Sequence, residues 1–436
     1  MTEDLAPPRR RVHRAWWVAA ATMATLVAAA AFRSSTGALI EPLEREFGWS
    51  RATTSGAVSL NLIVYGLAAP FAAALMERFG LRRVVAAALA LVALGSGLTL
   101  VMTAAWQLWL LWGLAVGVGT GALALVFGAI VANRWFVRHR GVVVGVFSAA
   151  SSTGQLVFLP LIAHLADGPG WRYAAGVVAG FALLLVPIVL LLLADSPSAA
   201  GTTAYGADPT IAAPLPAPSG GPGAGRVAID TLREVSGSRV FWILFGTFWI
   251  CGWSTNGLIG THFIPAAHDH GMPQTTAATL LALIGVFDIA GTVASGWLTD
   301  RVDSRYLLCA YYGFRGLSLL AVPWLLADAV NPSLFVFVVF YGLDWVATVP
   351  PTVALCREHF GAERAGVVFG WVFAAHMVGA GVAASFAGVI RQATGEYLMA
   401  WLTAGLLCLL AAAAVLAIPT TRAPADREAS LSPPPQ

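Results

Sequence analysis

The stretch WWVAAATMATLVAAAAFRSSTGALI, residues 16–40, decides how the whole chain is expected to fold. It is longer than the about 20 predominantly apolar residues that a helix needs to cross a bilayer. Arg33 lies inside it. A charged side chain at that depth costs between about 2.5 and more than about 10 kcal/mol, so it normally faces a protein interior or a watery cavity. The stretch therefore predicts a membrane helix that carries a functional arginine.

The alternative is that Arg33 only extends its side chain to the nearer membrane surface. Arg33 lies roughly 10 Å before Ile40 at a rise of about 1.5 Å per residue, so its aliphatic side chain could partly reach the outer membrane surface. Polar residues follow it directly at Ser34, Ser35 and Thr36. Because these residues extend the polar surface along the helix, we favour the position facing a cavity.

The composition predicts an integral membrane protein. Of the 436 residues, 58% are hydrophobic and 11% are charged, whereas soluble proteins carry about 25% charged residues. The net charge of +3 is small and scattered, so we expect no nucleic-acid partner. The four cysteines stand singly in apolar runs, as packing or lipid-facing residues without metal-site spacing. We expect no cofactor and no bound metal.

Twelve apolar runs are long enough to cross the membrane. They cover residues 16–40, 54–75, 84–103, 106–132, 142–165, 172–194, 240–261, 276–298, 306–327, 332–355, 365–390 and 397–419. Between the sixth and seventh runs the chain is rich in Pro, Gly, Ala and Ser, a composition typical of flexible linkers. We therefore predict an all-α membrane protein with a six-helix bundle over 1–195, a flexible cytoplasmic linker over 196–238 and a second six-helix bundle over 239–436.

The arginines predict the orientation of the chain, because cytoplasmic loops collect positive charge. If the chain starts in the cytoplasm, the outer segments contain only Arg45, Arg51, Arg172 and Arg391. Both termini are therefore expected in the cytoplasm of a cell whose plasma membrane holds the protein. The apolar run after the amino-terminal arginines is too long for a cleaved signal peptide, so we expect it to remain.

The two halves of the sequence repeat each other. The segment ERFGLRR follows the second run at residues 77–83, and GWLTDRVDSR follows the eighth at residues 296–305. Gly145 and Gly154 in the fifth run correspond to Gly370 and Gly379 in the eleventh, at the same offset. Internal repeats in a membrane chain are typical of transporters whose two bundles rock around a site near the membrane centre.

These features resemble the major facilitator superfamily. The acidic-Arg-x-Gly-x-Arg-Arg loop, its degraded copy, the six-plus-six spans and the long linker carry the resemblance over nearly the whole chain. Ala73 stands where the loop motif usually begins with Gly. The resemblance implies two pseudo-symmetric six-helix bundles, alternating access and a gating loop formed by Glu77, Arg78, Gly80, Arg82, Arg83, Asp300 and Arg301.

Within that superfamily, three features look like the monocarboxylate transporters and their bacterial relatives. These features are the basic residue Arg33 on the first span, the loop RWFVRHRG at residues 134–141, and an intramembrane aspartate, Asp288. The family's arginine one turn after that aspartate is Thr292 here, and the aromatic-glycine signature that opens the first span is missing. The resemblance implies a carrier for a small organic anion, coupled to protons.

Four ionisable residues lie deep in the predicted spans: Arg33, Asp288, Arg315 and Asp344. Buried charges pair or face water, so one interpretation is two structural ion pairs. In the functional interpretation, Arg33 binds a substrate carboxylate through paired N–H···O bonds. Asp288 or Asp344 then carries the proton. Arg315 is expected to hold Asp344 or Asp288 in place, because the ninth span lies outside its bundle in the superfamily.

Further polar residues in the spans could bind substrate or only join helices. The candidates are Asn61, Tyr65, Gln155, Asn256, Tyr341 and His376. Polar contacts between membrane helices are often worth only about 0.6 kcal/mol each. The main alternative function is a proton-driven exporter of drug-like or natural-product molecules. We exclude an enzyme, because the chain lacks metalloprotease, nucleophile-elbow and phosphate-loop patterns. We expect a monomer in the lipid bilayer.

Overall fold

The computed structural model describes residues 12–49, 51–165, 169–207 and 223–420. The first half contains α1 Arg14–Phe47, α2 Arg51–Phe79, α3 Leu81–Thr99, α4 Ala105–Leu108, a π-helix Trp109–Val116, α5 Gly117–Ala122, α6 Leu125–Trp135, α7 Arg140–Leu165 and α8 Trp171–Leu192. The second half contains α9 Ala224–Val235, α10 Arg239–Gly252, a π-helix Trp253–Ile259, α11 Gly260–Asp269, α12 Gln274–Thr299, α13 Ser304–Leu325, α14 Pro332–Asp344, α15 Val349–Phe360, α16 Ala365–Thr394 and α17 Leu398–Val415.

These helices form the predicted spans in order. Span four consists of α4, the first π-helix, α5 and α6; span seven consists of α10, the second π-helix and α11; span ten consists of α14 and α15. Each remaining span is one helix, and α9 is a separate linker helix. Within the described ranges, eight helices are long and apolar enough to cross a membrane, and up to nine if a bent pair counts as one span. The predicted all-α membrane fold is confirmed.

The two π-helical segments are joined to neighbouring spans by polar side chains. Membrane helices tolerate such distortions when neighbouring side chains bond the affected backbone groups. Asn61 of span two donates its amide N–H to the carbonyl of Trp112 at 2.7 Å. Tyr341 of span ten donates its hydroxyl to the carbonyl of Ser254 at 2.8 Å. Both side chains are buried, so they join helices rather than offer free groups to a substrate.

The two halves contact each other through spans two and eleven and through spans five and eight. A methyl group added at Gly145 of span five would lie 2.6 Å from the carbonyl oxygen of Thr292 in span eight. A methyl group at Gly370 of span eleven would lie 2.6 Å from the Cα atom of Pro70 in span two. Both contacts lie toward the side of the bundle that carries the described chain ends, Val12 and Thr420. We call this side the termini face.

Two parts of the predicted linker, residues 196–207 and 223–238, are described and contact the bundles. The first part pairs with the loop after span four, where the Tyr205 N–H donates to the Trp135 carbonyl at 2.8 Å. The last part is the amphipathic helix α9, which packs on spans two and eleven. The Trp371 indole donates to the Ala228 carbonyl at 3.0 Å, and Arg364 pairs with Glu234. The linker helix therefore covers the junction of the two halves on the termini face.

Gly145→Leu should prevent spans five and eight from closing the termini face. Overpacking a close contact costs about 1–3 kcal/mol, so backbone amide exchange over residues 140–146 should accelerate about tenfold or more. Hydrogen-exchange mass spectrometry measures this change. The matched control is Gly285→Leu in span eight, where a methyl group would meet no atom within 4 Å. Equal exchange rates in the two variants would contradict the backbone contact.

Candidate functional site

A cluster of aromatic and polar side chains joins spans two, seven and eleven. Asn256 Nδ2 lies 3.2 Å from His376 Nε2. The His376 ring stacks on Phe373 with centroids 6.0 Å apart and lies 5.0 Å from the Phe248 centroid. Tyr65 of span two meets Phe373 edge-on, with centroids 5.6 Å apart. The cluster therefore brings Tyr65, Asn256 and His376 together across the two halves.

His376 retains an unused polar atom in this cluster. The residue is 9% exposed, and its Nδ1 atom has no hydrogen-bond partner within the part of the chain that the structure describes. The Cys251 thiol lies beside the ring and is a polar side chain next to it on span seven. A buried polar atom without a partner costs about 1–3 kcal/mol. A polar group that reached His376 Nδ1 would remove this cost.

A small cavity of about 20 Å³ lies next to Tyr65 in the first half. Ala29 and Ala30 of span one line it, together with the break between α5 and α6 at Leu123 and Ala124. About 10–15 Å³ of such volume holds one water molecule. The conformation with a closed termini face therefore leaves room here for water-sized groups only.

Arg33 and Gln155 are in helices α1 and α7, but their side chains lie outside the described part of the structure. Position 33 follows Ala29 by four residues and Ala30 by three. Residues at these spacings share one face of a helix. The helical register therefore assigns position 33 to the face of span one whose alanines line the cavity.

Arg315 forms a buried ion pair with Asp344. Its Nε donates to Asp344 Oδ2 at 2.6 Å, and its Nη2 donates to the backbone carbonyls of Asp344 and Trp345 at 2.5 and 3.1 Å. Its Nη1 lies 3.1 Å from the Cys251 sulfur. The carbonyls belong to the end of α14, where span ten breaks before α15. One guanidinium thus neutralises an aspartate and satisfies the carbonyls that the helix break exposes.

Asp288 and Ser295 of span eight form hydrogen bonds with backbone groups at the same helix break, from a different side than Arg315 of span nine. Asp288 Oδ1 accepts the Val346 backbone N–H at 2.9 Å and the Thr292 hydroxyl at 2.7 Å. Ser295 donates to the Ala347 carbonyl at 2.6 Å. Asp288 is fully buried, and the Thr292 backbone one turn further on meets Gly145 of the first half. Asp288 therefore lies at the break in span ten and beside the contact between the halves.

Sequence reasoning did not identify the roles of Cys251 and Ser295. Cys251 was expected only to pack or face lipid, and the structure gives it polar contacts with Arg315 and the Thr348 hydroxyl. Ser295 was not singled out. The only sequence signal near these contacts is the pair Pro350-Pro351, which indicates a helix interruption in span ten.

The gating-loop residues divide between the two halves. Asp300 crosses from the second half to the first, where its carboxylate accepts the N–H groups of Gly141 at 2.7 Å and Val142 at 3.3 Å. These N–H groups begin span five, where a helix favours negative charge. Glu77 instead pairs with Arg134 of its own half at 2.5 Å. Asp300 therefore joins the two halves directly.

Arg78, Arg82 and Arg301 of the loop set contact residues of their own half. Arg82 donates its backbone N–H to Asp195 Oδ1 at 2.9 Å, beside Gly80 at the start of α3. Arg78 lies over the Phe79 ring at 5.3 Å, Arg301 lies over the Trp297 ring at 4.1 Å, and Arg83 is exposed. Near Asp300, the Arg305 side chain bonds Asp303 and holds the pKa of that carboxyl below its usual value. These contacts hold the loop after span two and the loop after span eight against the ends of neighbouring helices.

Comparison with known proteins gives a family match and full-length relatives. The model of the Major Facilitator Superfamily matches residues 21–384. The uncharacterized MFS-type transporter YcxA of Bacillus subtilis is 24% identical over 391 residues, which cover 88% of this chain and 90% of that protein. Monocarboxylate transporter 13 of Bos taurus is 27% identical over 372 residues, which cover 84% of this chain and 80% of that protein.

A solved structure shares the fold. The proton:xylose symporter XylE superimposes with a TM-score of 0.68 at 15% sequence identity, covering 92% of this chain and 94% of that chain. At this identity the likeness concerns the fold alone. It agrees with the predicted arrangement of twelve helices in two six-helix bundles.

Arg315→Met should destabilise the protein strongly, because it leaves Asp344 as an uncompensated buried charge. Breaking a buried ion pair by removing one partner costs about 3–5 kcal/mol, whereas replacing both partners by apolar residues is often neutral. The double variant Arg315→Met with Asp344→Leu should therefore recover much of the loss. Unfolding in one detergent, followed by melting temperature, compares the three proteins. A double variant less stable than the single one would contradict this account.

Proposed function

Because the chain belongs to the Major Facilitator Superfamily and is therefore a transporter rather than an enzyme, we propose that it carries a small organic anion of the monocarboxylate class. Transport would proceed by alternating access and be coupled to protons, with the termini face in the cytoplasm of a plasma-membrane protein. The single observation that carries the proposal is the arginine at position 33. It shares a helix face with the alanines that line the cavity near Tyr65, in a chain related to proteins named monocarboxylate transporters.

Guanidinium chemistry supports an anionic substrate. Arg33 can offer a carboxylate two parallel N–H···O bonds, a geometry that also fixes the orientation of the substrate. A charge within a membrane span is costly unless a partner or water meets it. A substrate carboxylate that binds at Arg33 would supply such a partner during each transport cycle.

The cluster across the halves supports a role in substrate binding for Tyr65, Asn256 and His376. His376 Nδ1 has an unused hydrogen-bonding position, and the Phe373 ring supplies an apolar surface next to it. A monocarboxylate has one charged end and one largely apolar end. Its carboxylate would bind Arg33, and the rest of the molecule would lie against the aromatic cluster.

Asp288 is the better placed of the two candidate proton carriers. It lies one turn from Thr292, whose backbone meets Gly145 across the contact between the halves. Movement of the halves would change its surroundings directly. Asp344 lies on the other side of span ten, bound by Arg315 and facing a groove between spans nine and ten. We therefore assign proton coupling to Asp288 and scaffolding to the pair of Arg315 and Asp344.

Arg33→Ala should abolish carboxylate uptake into proteoliposomes under an imposed pH gradient. Arg33→Lys should retain weak uptake with a raised KM, because an ammonium group keeps the charge but loses the paired geometry. Uptake of radiolabelled lactate, pyruvate and larger carboxylates is measured beside amphiphilic amines. The control is Arg226→Ala in the linker helix, where the side chain is 77% exposed.

The same assay separates the proposed function from the exporter alternative. Accumulation of carboxylates that depends on Arg33 supports an anion carrier. Accumulation of amines alone, unchanged by Arg33→Ala, would assign the chain to proton-driven export of drug-like molecules.

Asp288→Asn should uncouple transport from protons. An amide accepts the Val346 and Thr292 hydrogen bonds but carries no titratable proton. Uptake driven by a pH gradient should fall to the level seen without a gradient, while exchange of labelled for unlabelled substrate continues. Asp328→Asn, in the exposed loop between spans nine and ten, is the control. Unchanged gradient-driven uptake in the Asp288 variant would remove Asp288 from the mechanism.

A further inference from the structure

A groove of about 250 Å³ lies between spans nine and ten, on the outside of the second bundle. Its mouth is formed by Phe314, which is 66% exposed, and Phe340, which is 62% exposed. Val336 and Phe337 extend its wall, and Arg315 and Asp344 lie at its base. These exposed aromatic side chains belong to mid-span positions. The groove therefore opens sideways at mid-span, toward the hydrocarbon of the bilayer, and Leu325 and Ser333 extend its lining to the loop ends of spans nine and ten.

The base of the groove contains a hydrogen-bond acceptor without a donor. Asp344 Oδ2 accepts from Arg315, but Asp344 Oδ1 is buried and has no partner among the residues that the structure describes. The Asp344 side chain is 9% exposed. A buried acceptor left without a hydrogen bond carries a free-energy penalty, even when the charge of its carboxylate is paired. Something that enters the groove and donates a hydrogen bond would remove this penalty.

The charges at the base restrict the chemistry of the occupant. Four of the five Arg315 N–H donors are already used by Asp344, Trp345 and Cys251. The pair is neutral as a whole, so it offers neither an anion nor a cation a counter-charge. A charged or zwitterionic lipid headgroup would also have to enter the bilayer centre, which is costly. An uncharged hydroxyl group needs no counter-charge, and it enters the bilayer centre at a lower cost than a charged headgroup.

The walls define the rest of the occupant. They are mainly aromatic and aliphatic, and an apolar cavity favours hydrocarbon over water. From these observations we infer that the groove between spans nine and ten binds an uncharged, hydroxyl-bearing lipid of the bilayer, whose hydroxyl donates to Asp344 Oδ1. Its hydrocarbon lies between Phe314 and Phe340 and continues into the membrane. The site is separate from the proposed anion pathway and does not depend on it.

A photoactivatable long-chain alcohol, reconstituted with the full-length protein in phosphatidylcholine vesicles, tests this site. Mass spectrometry of the crosslinked protein should locate the label in spans nine and ten, at the groove walls. Unlabelled alcohol should compete about tenfold better than the alkane of equal chain length, the ratio that one hydrogen bond to a charged group supplies. Equal competition by alkane would overturn the proposal, because it would indicate ordinary lipid contact.

Two variants with a matched control complete the experiment. Ser318→Trp fills the groove from span nine and should remove most of the labelling. Leu317→Trp adds the same side chain at an adjacent residue that faces lipid outside the groove and is 58% exposed, so labelling should persist. The double variant Arg315→Met with Asp344→Leu should abolish the preference for alcohol over alkane. Labelling spread over all lipid-facing helices, or unchanged by Ser318→Trp, would disprove the site.

Discussion

A helix that breaks inside a bilayer exposes backbone N–H and C=O groups that only the protein itself can satisfy. Span ten breaks between α14 and α15, and side chains from two other spans form hydrogen bonds with the backbone groups that the break exposes. Arg315 of span nine binds the carbonyls, and Asp288 of span eight binds the Val346 N–H. Because each of these bonds needs all three spans in register, the break fixes the relative positions of spans eight, nine and ten and thus the shape of the second bundle.

The first bundle contains a similar break at Leu123 and Ala124, near the position that the internal repeat assigns to the break in span ten. There a small cavity lies beside the break, and Asn61 bonds the π-helix that precedes it. The repeated halves thus share backbone distortions but use different side chains around them. Charged scaffold residues bond the break in the second half, whereas a small cavity of about 20 Å³ lies beside the break in the first half. This asymmetry agrees with a substrate site close to the first half and a coupling site in the second.

Closure of the termini face depends on contacts that are easily reversed. Glycine at position 145 lets two backbones touch, and Asp300 binds the first N–H groups of span five without burying an ion pair. The linker helix lies over the junction of spans two and eleven and is held by Trp371. Such contacts contribute little free energy individually, so the two halves can separate without unfolding either bundle. In the proposed alternating access, the bonded break in span ten would hold spans eight, nine and ten together.

The sequence alone determined the twelve spans, the two halves and the position of costly charges, because hydrophobic length, internal repetition and intramembrane arginine are local properties. It also limited Arg315 to two partners. Only the tertiary structure decided that the partner of Arg315 is Asp344 and that Cys251 contacts the Arg315 guanidinium. It also showed that Asn61 and Tyr341 donate hydrogen bonds to carbonyls of the π-helices. The packed helix in the linker was likewise visible only in the tertiary structure. The physical reason is that hydrogen-bond partners in a bilayer are chosen by the rotation and depth of neighbouring helices, which depend on contacts between residues far apart in the chain.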